Sequence, residues 1–248
     1  MCMEVITSLD NKKIKNICRL QEKKYRDEVG LFLVETNNIL EEAYNSNLLE
    51  EVYVLEGYEC NYEVPKYYVS LNVMKKMSSL SSPGKVVGVV KKLPELPYKN
   101  RLLILDNIQD PGNLGTTIRS AVAFNVDTIV LGDTCVDLYN DKTVRASEGM
   151  LFKINVIRRE LKSFLTELKN NNYKIYGTDV VNGQVVSEVT FGSKCAIVIG
   201  SEGNGVSKEI KEMTEDNIYI PMSYKTESLN ASVAASIIMY EMSKNDYE

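Results

Sequence analysis

Five short, largely apolar segments recur through the C-terminal part of the chain. They lie at residues 102–105, 128–131, 174–177, 196–199 and 218–220. Continuous apolar runs of this length are typical of parallel strands that are buried on both faces. Helical stretches are predicted between and after them, at 116–124, 163–170, 208–212 and 231–243. The alternation predicts an open α/β domain with a parallel sheet, whose ligands bind beyond the carboxyl ends of the strands.

Pro94 and Pro97 interrupt any regular element just before this domain. We therefore predict a linker at 94–100, between domains at 1–93 and 101–248. The first domain also alternates. Strands are predicted at 30–34, 52–55 and 86–90, with a short one ending at Val69, and helices at 12–26, 38–44 and 73–77. This pattern predicts a small α/β sandwich.

Composition limits the chemistry that the chain can perform. It has no histidine, which removes Ser-His-Asp and Cys-His catalysis and histidine metal sites, so no metal is expected. The five cysteines are scattered without a C-x-x-C pair, which is typical of reduced, mostly buried thiols. No apolar run approaches the length of a membrane span, and the first residues lack the pattern of a signal peptide. We expect a cytoplasmic protein without a membrane partner.

The net charge of −5 argues against nucleic acid, but positive charge is concentrated in one segment. Seven cations and a single acid, Glu22, lie between residues 12 and 26; the cations are Lys12, Lys13, Lys15, Arg19, Lys23, Lys24 and Arg26. A helix here carries a positive stripe. The stripe is either a surface for phosphates or an ordinary solvated face.

Three polar loops directly follow predicted strands. The first, at 106–119, has a Pro-Gly turn, then Asn113 just before a helix, and Arg119 one turn after Gly115. An arginine there can fork onto a phosphate, although a capping asparagine and an ion-paired arginine explain the same residues.

The second loop, 200–207, has three glycines in six residues, which indicates close approach of backbone to another group. Its order is neither the dinucleotide fingerprint nor a phosphate-binding P-loop. Glu202 adds a negative charge that disfavours a polyphosphate and favours a neutral or cationic ligand. A tight strand-to-helix turn is the alternative.

The third loop ends in Ser228 and Asn230, immediately before a helix of small residues. Both side chains are explained either as helix caps or as ligand contacts. Because three such loops occur in one domain, we predict one composite site.

These residues resemble a known family. Three segments resemble the three motifs of the SpoU (TrmH-like) RNA ribose 2′-O-methyltransferases. They are Asn113-x-Gly115-x-x-x-Arg119, the glycine-rich segment 199–205, and the segment 220–234, which contains Ile-Pro-Met and Ser-Leu-Asn. Residues 20–35 resemble the family's N-terminal substrate-binding domain, which is similar to a small ribosomal RNA-binding protein. The segment 144–147 also resembles a family segment.

The resemblance implies a fold, a cofactor and an assembly. It implies a trefoil-knotted (SPOUT-type) α/β parallel-sheet domain, preceded by a small α/β sandwich that binds RNA. It implies a homodimer through the C-terminal domain and S-adenosylmethionine as methyl donor. By motif position the cofactor contacts are Gly200, Ile220 and Leu229, through backbone groups, with Thr178 and Gly205.

The resemblance also points to catalytic residues. Arg119 acts either as the base, aided by an RNA phosphate, or by orienting that phosphate and stabilising the developing alkoxide. Asn113 holds Arg119 or the ribose, Ser228 and Asn230 bond the nucleotide or the first loop, and Glu202 orients these groups. Because the methyl donor is already activated, a chain without histidine can catalyse the transfer. The expected RNA contacts are Lys12, Lys13, Lys23, Lys24, Arg26 and Arg145.

Two positions depart from the family pattern. Tyr224 stands where glycine is usual, and can narrow the pocket or alter the approach of RNA. Glu148 replaces a usual apolar residue.

The expected reaction is methyl transfer to a ribose 2′-hydroxyl of RNA. Ribosomal RNA is favoured over transfer RNA, and guanosine is the favoured nucleotide. The alternatives are a non-catalytic RNA-binding or ribosome-assembly protein of the same fold, and an antibiotic-resistance methyltransferase of ribosomal RNA.

Overall fold

The computed structural model describes residues 4–180, 182–201 and 203–244. The strands are β1 Val5–Ile6, β2 Leu31–Val34, β3 Leu49–Leu55, β4 Lys66–Val69, β5 Val86–Lys91, β6 Arg101–Leu105, β7 Thr128–Gly132, β8 Asn155–Arg159, β9 Lys174–Thr178, β10 Gln184–Val185, β11 Cys195–Ile199 and β12 Asp216–Tyr219. The α-helices are α1 Lys12–Cys18, α2 Lys23–Val29, α3 Asn37–Asn45, α4 Leu71–Met77, α5 Pro111–Ala123, α6 Asp141–Ala146, α7 Leu161–Asn170, α8 Lys208–Lys211 and α9 Ala231–Ser243.

The chain forms two units. The first contains Met1–Pro94 and Asp137–Phe152, and the second contains Glu95–Val136 and Lys153–Glu248. The break near residue 94 lies at the linker expected from the two prolines. Residues 137–152, which the linker-based boundaries assign to the second domain, belong to the first unit.

The first unit is built on a five-stranded mixed sheet in the order β1-β4-β3-β5-β2. Strands β1, β4 and β3 are parallel, and β5 runs antiparallel to β3 and β2. Helices α1 and α4 contribute apolar side chains such as Ile14, Val73 and Met77 to a core with Tyr53 and Val87 of the sheet. This burial is the main favourable term for a unit of this size.

The basic segment is not one helix, so the predicted continuous stripe is wrong. Asn11 caps α1 by accepting from the backbone N–H groups of Lys13 and Ile14. The helix then gives way to a 3-10 turn at Arg19–Gln21, and Glu22 is extended before α2 begins. The break buries Leu20 and separates the cations onto two short helices.

Aromatic packing explains why 137–152 belongs to the first unit. The ring of Phe32, which is fully buried on β2, lies 4.8 Å from the ring of Tyr139 and 6.4 Å from that of Phe152. The hydroxyl of Tyr139 also accepts a hydrogen bond from the backbone N–H of Leu93 at 3.0 Å. Without this segment one side of Phe32 would be exposed to water.

The second unit is a seven-stranded sheet in the order β10-β12-β9-β11-β6-β7-β8, and every pairing in it is parallel. The apolar residues of its central strands β6, β7 and β11 are buried, as the sequence pattern predicts. All carboxyl ends lie at one edge, so the loops after β6, β9, β11 and β12 meet there. Among the described residues no helix is both long and apolar enough to cross a membrane.

Candidate functional site

The loops at the carboxyl edge of the second sheet enclose a cavity of about 470 Å³. Its lining includes all five residues that the sequence predicts for the cofactor: Thr178, Gly200, Gly205, Ile220 and Leu229. The small side chains Ala231 and Ala234 of α9 form part of another wall. The volume is within the range of about 300–1,000 Å³ that is usual for small-molecule sites.

The loop after β11 closes on itself through two backbone hydrogen bonds. The Ser201 N–H donates to the Gly205 carbonyl at 3.1 Å, and the Gly205 N–H donates to the Ser201 carbonyl at 2.9 Å. A Cβ at Gly200 would lie 1.9 Å from the Gly205 carbonyl carbon, which no side chain tolerates. Gly205 has a φ of +65°, in the left-handed region. Both glycines are therefore required by the shape of the loop.

A buried aspartate anchors the same loop to the first strand of the unit. The Ser207 N–H donates to Oδ2 of Asp106 at 2.7 Å, and the Asp106 N–H donates to the Ile199 carbonyl at 2.9 Å. Asp106 directly follows β6, so the first and second loops are joined at their bases.

Helix α5 begins earlier than expected. Asp110 is its N-cap, accepting from the Asn113 N–H at 2.8 Å, and Pro111 occupies the first turn. Asn113 therefore lies inside the first turn and is not the cap. Proline at the first helical position is a known preference, so the sequence did contain this signal.

Asn230 caps the last helix and also contacts the first loop. Its Oδ1 accepts from the N–H groups of Ser232 and Val233 at 3.0 and 3.3 Å, which caps α9. Its Nδ2 donates to Oδ1 of Asn113 at 3.0 Å. One side chain thus starts the last helix and ties it to the first loop.

The other candidate catalytic residues are placed differently. Ser228 is exposed and lines the cavity. Arg119 is exposed on α5, one turn beyond the buried Gly115, and is not among the described residues that line the cavity. Glu202 lies outside the described residues. The structure therefore brings Asn113 and Asn230 together. It presents Arg119 at the surface of α5, the helix that also carries Asn113.

The six candidate RNA contacts separate into exposed and paired groups. Lys12 and Lys24 are exposed on α1 and α2. Lys23 is also exposed and pairs with Asp27 at 2.7 Å. Lys13 is half-buried, with Nζ 2.7 Å from the Glu51 carboxylate and 3.7 Å from the ring centroid of Tyr67. Desolvation is the largest single effect and lowers the pKa of Lys13, but the hydrogen bonds and electrostatic attraction to Glu51 and Tyr67 together outweigh it and raise the pKa.

Arg26 is the exception to the expected RNA surface. It is only 5% exposed, its guanidinium lies 2.5 Å from the Asp137 carboxylate, and it donates to the carbonyls of Leu20 and Gln21. Its charge is used inside the first unit, so we leave it out of the RNA surface. Arg145 donates to Asp141 at 2.7 Å and to Ser79 at 2.6 Å, and is half-buried.

Neither of the two departures from the family pattern is among the described residues that line the cavity. The Tyr224 side chain is 93% exposed. Glu148 is exposed, with a φ of +50°, in the turn after α6 of the first unit.

Sequence reasoning missed the three charged residues of the described cavity lining, Asp179, Lys211 and Glu227. The position of Asp179 offered a signal, because it comes just after the run 174–177, where the loops of a parallel sheet carry ligands.

Comparison with known proteins agrees with this architecture over the whole chain. Residues 100–240 match the SpoU rRNA Methylase family, and residues 11–88 match the MRM3-like substrate binding domain. The chain is 36% identical over 253 residues to the 23S rRNA (guanosine(2553)-2′-O)-methyltransferase RlmP of Bacillus subtilis, covering 97% of this chain and 99% of that protein.

Solved structures agree as well. An RNA 2′-O ribose methyltransferase superposes with a TM-score of 0.85 at 28% identity, covering 99% of this chain and 100% of that one. AviRb of Streptomyces viridochromogenes, a SpoU methyltransferase solved with its cofactor, has the same fold, with a TM-score of 0.83 at 22% identity over 96% of this chain and 99% of that one.

The expectations for fold, enzyme class and cofactor are therefore confirmed, and the second unit has the trefoil-knotted SPOUT fold. Such a knot could not be derived from periodicity, because knots are almost absent among folds. The chain belongs to the SpoU rRNA methylase family, the RNA ribose 2′-O-methyltransferases that use S-adenosylmethionine.

Proposed function

We propose that this protein methylates the ribose 2′-hydroxyl of a guanosine in 23S ribosomal RNA. The observation that carries the proposal is the Asn113–Asn230 hydrogen bond beside the cavity, which joins the first and third family motifs at the carboxyl edge of the sheet. The nucleotide is inferred from RlmP, which shares 36% identity along nearly the full length of both chains.

The volume and the lining of the cavity suit the cofactor. Gly200, Ile220 and Leu229 line it together with the apolar residues Ile199 and Val206. A flat, uncharged adenine requires such a wall, whereas a polyphosphate would require clustered cations. When bound, S-adenosylmethionine supplies an activated methyl group.

The residues of the chain then have to position the RNA and manage one proton. Arg119 is exposed on α5, where its guanidinium can hold the phosphate next to the reacting ribose and stabilise the alkoxide as it forms. Asn113, fixed by Asn230, orients the ribose, and Ser228 bonds the nucleotide at the cavity. Positioning of this kind supplies a large part of the rate enhancement in direct displacements. Glu202 keeps its proposed orienting role.

The first unit is the RNA-binding part in this proposal. The proposed domains are 1–93 and 101–248, except that residues 137–152 are taken from the second domain and assigned to the first. Support comes from the substrate-binding-domain match at 11–88 and from the exposed cations Lys12, Lys23 and Lys24, while Lys13 and Arg145 contribute from half-buried positions.

We further propose a cytoplasmic homodimer that forms through the C-terminal domain. Helix α9 exposes two large apolar side chains, Val233 at 46% and Tyr240 at 51%, beside a tightly packed contact with α5. A second copy of the chain would remove these side chains from water.

The test is to map ribose methylation in 23S ribosomal RNA from cells with and without the protein. We expect one guanosine to lose its 2′-O-methyl group and to regain it when the wild-type gene, but not the Arg119→Ala gene, is restored. If all ribosomal RNA sites remain methylated in the deletion strain, the substrate assignment is wrong. Normal methylation combined with defective ribosome assembly would favour the non-catalytic alternative.

A further inference from the structure

Two charged side chains on the cavity wall have no part in the machinery described above. Asp179 directly follows β9, and Lys211 ends α8. Their side chains form an ion pair, in which Asp179 is 11% exposed and Lys211 is 40% exposed. Oδ1 of Asp179 also accepts from the Val180 N–H at 2.6 Å. Elements from two parts of the unit therefore hold one positive and one negative group side by side at the cavity.

The rest of the lining differs from this pair. Ile199, Val206, Leu229 and Ile238 are apolar, and the glycine-rich loop contributes backbone groups. Three of the described lining residues are charged. Lys211 is the only cation among them, and Asp179 and Glu227 are the two acids. The cavity thus has an extended uncharged part and one place where both signs of charge occur together.

We propose that Asp179 and Lys211 form a clamp for the amino-acid end of the cofactor. This inference rests on the location of the cofactor site under Proposed function. The adenine and ribose of S-adenosylmethionine are uncharged, whereas its α-ammonium and α-carboxylate lie on one carbon atom. Lys211 pairs with the carboxylate and Asp179 with the ammonium, so that the four charges alternate in sign.

The clamp predicts selectivity between two ligands that share adenine, ribose and a thioether. S-adenosylhomocysteine carries the amino-acid group, and 5′-methylthioadenosine lacks it. Calorimetry on the full chain should show that Lys211→Met and Asp179→Asn each weaken S-adenosylhomocysteine about tenfold, the loss expected for one charged hydrogen bond. Binding of 5′-methylthioadenosine should change less than twofold, and Lys211→Arg should retain most of the affinity for S-adenosylhomocysteine.

Controls separate a clamp from a structural ion pair. Lys211→Met removes the ion-pair partner of Asp179 and can destabilise the unit, so the double variant Asp179→Asn with Lys211→Met is measured together with the melting temperature. The proposal is overturned if both ligands lose affinity equally, or if S-adenosylhomocysteine binding is unchanged. If Gly200→Ala also leaves S-adenosylhomocysteine binding intact, the location of the cofactor site itself is wrong.

Discussion

The double role of Asn230 allows its two contributions to be measured separately. Asn230→Ala removes the cap of α9, which costs about 1 kcal/mol, and also the hydrogen bond to Asn113. That bond is partly exposed, so its loss costs about 0.5 kcal/mol, the lower end of the usual range. The free energy of unfolding of the second unit should therefore fall by about 1.5 kcal/mol. For a protein of this size the melting temperature should fall by roughly 3–6 °C.

Asn230→Ser is the matched control. Serine caps a helix as well as asparagine does, but its side chain is too short to reach Asn113. This variant should lose only about 0.5 kcal/mol, while its methyl transfer falls as far as that of Asn230→Ala. Stability is measured by thermal and denaturant unfolding, and activity by tritium transfer from labelled cofactor to 23S RNA. If Asn230→Ser retains full activity, the Asn113 contact does not orient the reacting groups and the reasoning is refuted.

Three further predictions address the cofactor, the reaction and the RNA. Gly200→Ala should weaken S-adenosylhomocysteine at least tenfold by calorimetry, because the added Cβ would lie 1.9 Å from the Gly205 carbonyl carbon and the loop could not close; unchanged affinity would contradict this view of the loop. Arg119→Ala should abolish methyl transfer and leave S-adenosylhomocysteine affinity within twofold, since Arg119 lies outside the described lining of the cavity; residual activity near wild type would exclude it as the catalytic residue. Replacing Lys12 and Lys24 with glutamine should reduce the slope of log K for RNA against log salt by about 0.7–0.9 per lysine that contacts a phosphate; an unchanged slope would assign both to a solvated face.

The sheet of the second unit was predictable because strands that are buried on both faces consist mainly of apolar residues. The run 102–105 became β6, and 196–199 became β11, each extended by one residue. Strand β8 was missed because its sequence is polar. The structure explains this, since Arg158 on β8 donates to the carbonyls of Gly132, Cys135 and Val136. A charged side chain that satisfies internal carbonyls looks the same in a sequence as one that faces water.

The candidate site was predictable to the same degree and for a similar reason. Loops after parallel strands meet at one edge, so the five cofactor residues that the family resemblance implies line one cavity. Arg26 was misjudged because the count of charges cannot show that Asp137, which is 111 residues away, is its partner. The clamp residues were missed because neither carries a motif, and only the fold places Lys211 beside Asp179.

The division of the first unit into 1–94 and 137–152 has a consequence for synthesis of the chain. The ribosome adds about 5–20 residues per second, so the 58 residues between positions 94 and 152 (152 − 94 = 58) take roughly 3–12 s. Until residues 137–152 are made, Phe32 lacks the rings of Tyr139 and Phe152, and Arg26 lacks Asp137. The nascent N-terminal unit therefore stays incomplete while β6, α5 and β7 emerge, and the order of folding along this chain cannot simply follow the order of its domains.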